Sequence, residues 1–408
     1  MGISQHSFGV AGFCYISGKP QKKKGAFIII KTCEDSYSTT FCSFEDMQKY
    51  HEDLTLGSQW LRYKINELHI EPLDRTSSLY GTPSSFAPRV SAEAVEDTAQ
   101  NLGLAMRIGT DYYPIRTTAY KSLLARAKIS GTVLPKLSRE KLARILNDCL
   151  SIYSSEALLL IRNEKVSAAH SGNPVDYSVL PIDELLKALM RGLDDRFPGS
   201  EFQSGYSDHA LTSASWTMPG QKEKLLDTYE KVLIAQGKTT MASKLMPGIR
   251  FVTSDTGVAS AKVSAMLMGT QYPIHIGGCV AVDHCNQAKV ENFEEAFSKL
   301  FAQFQDSVGK LKKLLEIPLA YPVNAMTRVC KSLSLPKKAA VEAIAMYEMA
   351  YGDGPSTAHD VFMAMQEIPY IMKAEHTSED KLLRLEENMA RALTLRWSDY
   401  DLPKAVSF

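Results

Sequence analysis

The chain has no excess of either charge, no CxxC pair and no leader-like start, and each absence removes a class of function. Lys plus Arg and Asp plus Glu stand at 46 each, so no global field draws the protein to nucleic acid or an anionic membrane, and any such binding has to come from a local patch. The seven cysteines are scattered over 408 residues, which predicts reduced thiols in the cytoplasm and no disulfide. The opening "MGISQHSFGV" lacks the basic and apolar regions of a secretory signal. It starts Met-Gly but carries His6 where N-myristoylation wants Ser or Thr, and the final "AVSF" has no cysteine to prenylate. The most apolar runs, "AFIII" (26–30) and "ALLLI" (157–161), fall far short of the roughly 20 residues that span a bilayer. They predict buried strands and no membrane partner.

Signatures of catalysis and cofactor binding are missing as well. There is no GxxxxGK[ST], no GxGxxG after a strand, no HExxH and no EF-hand loop, so nucleotide hydrolysis, dinucleotide chemistry and zinc proteolysis lack their usual marks. No cofactor is expected, and no catalytic residue is assigned. The densest cluster of metal-ligating types is "PIHIGGCVAVDHC" (273–285). Read as a strand, it puts Ile274, Ile276, Val280 and Val282 on one face and His275, Cys279 and Asp283 on the other, about 13 Å from one to the next. Zinc needs its ligands at about 2.0–2.3 Å, so no metal is expected.

Two further motifs have plainer readings. In "GYSDHALTSASW" (205–216), Ser207, Asp208 and His209 are adjacent, but adjacency is not a triad and no GxSxG elbow is present. Tyr206, His209 and Trp216, with Asp255 and His284, would line a polar cleft if their strands pair, and such a cleft is the feature a hydrolytic enzyme would need. "SREK" (138–141) has Ser-x-x-Lys spacing, but Ser138 is placed to cap a helix.

Periodicity predicts an α+β fold: a mixed, largely antiparallel sheet flanked by helices, with a helical C-terminal third. Short strands joined by turns such as "SDTG" favour antiparallel pairing, since parallel pairs need a long crossover each time. A small N-terminal α+β unit is expected at 1–71. The Pro/Gly/Ser-rich stretch 72–91 is expected to be a linker, followed by a central sheet domain at 92–289 and a helical region at 290–408. In that region Phe293, Phe297, Leu300, Phe301, Phe304, Val308, Leu311 and Leu315 form one apolar stripe.

One positive signal is left. Between 116 and 144 lie Arg116, Lys121, Arg126, Lys128, Lys136, Arg139, Lys141 and Arg144 against one acid, Glu140. Such a stripe binds phosphates through Coulomb attraction and counterion release. Lys22, Lys23 and Lys24 could add a basic hairpin tip, and Tyr112, Tyr113 and Tyr120 flank the stripe as stacking platforms for single strands. The plainer alternative is a solvated helix face whose cations pair with the downstream acids of "SED" and "EEN".

"DYSVLPIDELLKAL", "GYSDHALTSASW", "RFVTSDTGVASAKV" and "GDGPSTAHDVFMAM", in that order, resemble a family of phage- and plasmid-borne proteins grouped as a domain of unknown function (932-type), over roughly residues 100–400. The resemblance implies a mobile-element context but no activity and no functional residue. The expected function is nucleic-acid handling, with single- or double-stranded DNA as the partner, possible single-strand annealing in replication or recombination, and a cytoplasmic location. The alternatives are a non-catalytic inhibitor that binds a host defence protein, and a hydrolase using the His/Asp cleft.

Overall fold

A computed structural model describes residues 31–269 and 272–408. Lys22, Lys23, Lys24 and the strands expected within residues 8–30 lie outside the described residues. The strands are β1 (Ser38–Phe41), β2 (Gln59–Lys64), β3 (His69–Pro72), β4 (Leu104–Ile108), β5 (Asp111–Pro114) and β6 (Glu156–Arg162). Then come β7 (Lys165–Ser171), β8 (Glu201–Asp208), β9 (Thr212–Thr217), β10 (Met246–Thr253), β11 (Ala261–Met268) and β12 (Ile274–Val282), with a short antiparallel pair, β13 (Pro318–Leu319) and β14 (Ser356–Thr357), in the helical third. The helices are α1 (Phe44–Leu56), α2 (Ala92–Gln100), α3 (Ala119–Arg126), α4 (Arg139–Leu150), α5 (Ile182–Arg196), α6 (Lys222–Ala235) and α7 (Thr239–Lys244). The helical third adds α8 (Val290–Phe297), α9 (Leu300–Leu314), α10 (Pro322–Ser332), α11 (Lys337–Tyr351), α12 (Ala358–Met365), α13 (Glu367–Ala374) and α14 (Glu379–Ala390).

The fold is α+β, as the periodicity predicts. Its centre is an antiparallel sheet in the order β1-β8-β9-β10-β11-β12. Strand alternation gives this sheet two different faces. Ala214, Trp216, Ile249, Phe251, Val263 and Ala265 point into the main core, where side chains of α5, α6, α8 and α9 meet them. Ser213, Ser215 and Arg250 alternate with them and point to the other face. The expected C-terminal stripe divides between α8 and α9 at Ser298–Lys299, and Phe293, Phe297, Leu300, Phe304 and Val308 are buried on the sheet's apolar side.

The strand expected at 273–283 forms as β12, with a bulge in its middle. Ser264 pairs with Cys279 while Met266 pairs with His275, so two extra residues, Gly277 and Gly278, are accommodated with φ of 75° and 57°. A Cβ on Gly278 would lie 2.5 Å from Ser307 Oγ and 2.7 Å from the Gln303 carbonyl. Only glycine fits between the sheet and α9 there.

A second lobe holds two three-stranded sheets, β2-β6-β7 and β3-β4-β5. Leu123 of α3 and Leu142 and Leu146 of α4 share one core with Leu104, Leu159 and Val166 from those sheets and with Ile115, which follows β5. Ser138 caps α4 by accepting from the Lys141 amide. The turn of the β6–β7 hairpin is Asn163–Glu164, both at positive φ, the twist that two-residue hairpins favour.

The domain plan differs from the expected one at its N-terminal end. Residues 38–72 form no sheet of their own: β1 pairs with β8, β2 with β6 and β3 with β4. The expected linker also packs, since Leu73 and Phe86 are buried against Ala105. Among the described cysteines, Cys33, Cys149, Cys279, Cys285 and Cys330 are free thiols, whereas Cys42 is disulfide-bonded, against the expectation of no disulfide. Among the described residues no helix is long and apolar enough to cross a membrane.

Candidate functional site

The basic stripe divides into a buried part and an open part. Arg116 is fully buried and donates to Asp35 Oδ1 at 3.3 Å, to the Glu34 carbonyl and to Ser167, so it leaves the stripe. Arg126 is half-buried at the end of α3, and burial lowers its pKa despite the Asp176 charge nearby. Arg139 lays its stem over Gly103 and donates to the Asn101 carbonyl at 3.0 Å. Lys121, Lys128, Lys136, Lys141 and Arg144 are exposed, and no carboxylate lies within ion-pairing distance of any of them among the described residues. Of the acids expected to neutralise the stripe, Glu386 is paired with Arg250, Glu387 with Lys262 and Asp380 with Arg384, while Glu379 pairs with none of the stripe's cations among the described residues.

The flanking tyrosines are half-buried and pack against the cores of the second lobe. Successive residues of β5 point to opposite faces, so Tyr112 packs on the small core around Phe86 and Ala105 while Tyr113 packs on the core beneath α3 and α4. Tyr120 joins that second core, its hydroxyl buried without a hydrogen-bond partner.

The five residues expected to line one cleft occupy separate places. Trp216 is buried in the main core beside Phe44 and Phe202. Tyr206 lies on the opposite face of the sheet and donates to Asp208 at 2.7 Å. His209 sits in the β8–β9 turn, with Nε2 donating to the Glu34 carbonyl at 2.8 Å; burial, with Arg116 nearby, lowers its pKa to about 3. Asp255 and His284 do meet, around Tyr177. The Tyr177 ring stacks on His170 at 3.5 Å and 3°, and on His284 at 5.7 Å and 11°. Its hydroxyl and His170 Nε2 both donate to the Asp255 carbonyl, at 2.9 and 2.7 Å. The Asp255 carboxylate takes Arg162 at 2.6 Å. Burial lowers His170 to about 4 and His284 below its usual value. This group joins the small β2-β6-β7 sheet to the end of β10, and among the described residues no hydrogen bond links His209 to it.

Ser207, Asp208 and His209 behave as a strand end. Ser207 Oγ bonds Thr212 Oγ1 at 3.1 Å, and Asp208 accepts from the Ala210 and Leu211 amides at the turn. His275 is buried and Cys279 exposed. Among the described residues no three His, Cys, Asp or Glu side chains are placed to hold a metal.

Two buried charge groups went unnoticed in the sequence. In one, Lys165 on β7 is fully buried and reaches Asp35 Oδ1 at 3.1 Å and Asp97, and Asp35 also accepts from Thr117 and Arg116. Burial pushes the Asp35 carboxyl up, but Lys165, Thr117 and Arg116 outweigh it and hold its pKa below the usual value. In the other, Arg250 on β10 meets Glu386 of α14, which also accepts from Tyr272 at 2.6 Å. A lone cation inside an apolar strand run, as in "EKVSAAHS" and "IRFVT", was the available signal. No protein-family model, curated protein or solved structure matches this chain.

Proposed function

We propose that the protein binds nucleic acid through its phosphate backbone, at the surface carried by Lys121, Lys128, Lys136, Lys141 and Arg144, as an accessory protein of a phage or plasmid element in the cytoplasm. The observation that carries this reading is the lack, among the described residues, of carboxylate partners for five exposed cations on α3, α4 and the loop between them. Cations left with water and small counterions gain by exchanging those counterions for a polyphosphate. With Tyr112 and Tyr113 packed inward, affinity comes from phosphates and not from stacked bases, which favours sequence-independent contact over base readout.

The test is binding of a labelled duplex and a labelled single strand over a salt series. If all five cations touch phosphates, the slope of log affinity against log salt is about −4.5 on duplex and about −3.5 on single strand. Reversal of Lys121, Lys128, Lys141 and Arg144 to Glu should abolish retention. No retention at about 50 mM salt, or retention untouched by the reversal, removes this reading.

A further inference from the structure

The polar face of the six-stranded sheet is covered over only part of its width. On one side α14 lies across it, with Arg250 ion-paired to Glu386 and Lys262 to Glu387. Over β8 and β9, the sheet and the corner between α13 and α14 border a half-open cavity of about 330 Å³. That volume falls in the range of sites that take small molecules. Its floor carries the hydroxyls of Ser204, Ser213 and Ser215 together with Tyr206, and its rim carries Lys373 and Glu379.

The hydrogen-bonding state of these groups selects a ligand chemistry. Ser204 and Ser215 bond each other at 3.1 Å, whereas Ser213 Oγ makes no hydrogen bond among the described residues. Glu379, the first residue of α14, is half-buried and makes neither a hydrogen bond nor an ion pair among the described residues. Lys373 places Nζ 5.5 Å from the centre of the Tyr272 ring and has no carboxylate partner among them. The formal charges around the cavity sum to zero: Arg250 is paired with Glu386, and one unpaired cation, Lys373, stands with one unpaired anion, Glu379. A net anion or cation therefore gains little there. An ionised carboxylate is acceptor-only, with two oxygens in a fixed fork, and two adjacent hydroxyls supply two donors at matching spacing.

We propose that this cavity binds a neutral polyhydroxylated small molecule through a vicinal diol, with Glu379 accepting from both hydroxyls and Ser213 and Lys373 holding the rest. A ribonucleoside and a sugar share that chemistry. The experiment is isothermal titration of the full chain with adenosine, guanosine, D-ribose and D-glucose, each up to about 10 mM, with 2′,3′-dideoxyadenosine and 2′,3′-dideoxyguanosine as controls. At least one diol probe should bind saturably. Binding of a nucleoside alone identifies a ribonucleoside site, and binding of glucose or ribose alone a sugar site. For a nucleoside, the dideoxy control should bind at least about tenfold more weakly. For any probe, Glu379→Gln should cost about the same, and Ser213→Val less, with thermal melting unchanged in both. Failure of all four probes, equal binding of the dideoxy form, or indifference to Glu379→Gln overturns the assignment. Charge reversal at Lys121, Lys128, Lys141 and Arg144 should leave this binding intact, which separates it from the phosphate-binding surface.

Discussion

Replacing Lys165 by methionine isolates one charge, because methionine keeps most of the aliphatic stem that β7 buries. The ammonium is fully buried, 3.1 Å from Asp35 and paired also with Asp97. At an effective dielectric near 20 a pair at that distance attracts by about 5 kcal/mol. Loss of one partner from a buried pair costs about 3–5 kcal/mol, since the stranded charge has no water to return to. Arg116, 3.3 Å from Asp35, still covers that carboxylate, so Asp97 is the more exposed to the loss. We expect Lys165→Met to lower stability by about 3–4 kcal/mol at pH 7, read by denaturant unfolding followed through the tryptophans. The pH dependence gives a second check. The folded pKa of Asp35 lies below its unfolded value, so in the native protein its ion pairs contribute fully above about pH 4 and are lost as pH falls through the lower folded value. Without Lys165, the burial that pushes the Asp35 carboxyl up loses its largest counterweight, so the variant's deficit should shrink between pH 7 and pH 4. Lys165→Met with Asp97→Asn should recover about half of the loss. A single variant within about 1 kcal/mol of the parent at pH 7 would refute the reasoning.

Burial lowers His51, His209 and His275 to about 3 and His170 to about 4. These values lie below the unfolded value near 6.5, so the unfolded chain binds more protons and stability should fall as pH drops from about 6.5 toward 4. His170→Gln should remove about 3 kcal/mol of that fall, and denaturation midpoints of the variant that keep the parent's pH slope would count against it. At the β12 bulge, Gly278→Ala meets Ser307 and Gln303 at a positive φ and should cost about 2 kcal/mol or more. Gly277→Ala, with nothing nearer than 3.9 Å, should cost only the backbone strain of about 1 kcal/mol. Equal melting temperatures for the two variants would contradict that account.

The fold class was legible because strand alternation and helical stripes are local. "ALTSASWT" shows which residues of β9 face the core, and "LSREKLARILNDCL" shows both the cap and the apolar face of α4. The pairing of β1, β2 and β3 was not legible, because their partners lie far along the chain and no local pattern names them. The same limit governed the candidate sites. Lys121, Lys128, Lys136, Lys141 and Arg144 are on the surface, but nothing near Arg116 in sequence announces Asp35. Tyr112 and Tyr113 look like exposed aromatics beside a basic run until the second lobe closes over both faces of β5. Likewise Trp216 and Tyr206 are close in sequence, yet the sheet puts them on opposite sides.

The early strands have a consequence for how the chain is made. β1 pairs through Ser38 with Asp208, a partner synthesised 170 residues later. At ribosomal speeds of about 5–20 residues per second, that is a wait of roughly ten to thirty seconds. Through that interval Ser38–Phe41 has no β8 edge to join, so β1 adds to the sheet only after β8 has been made.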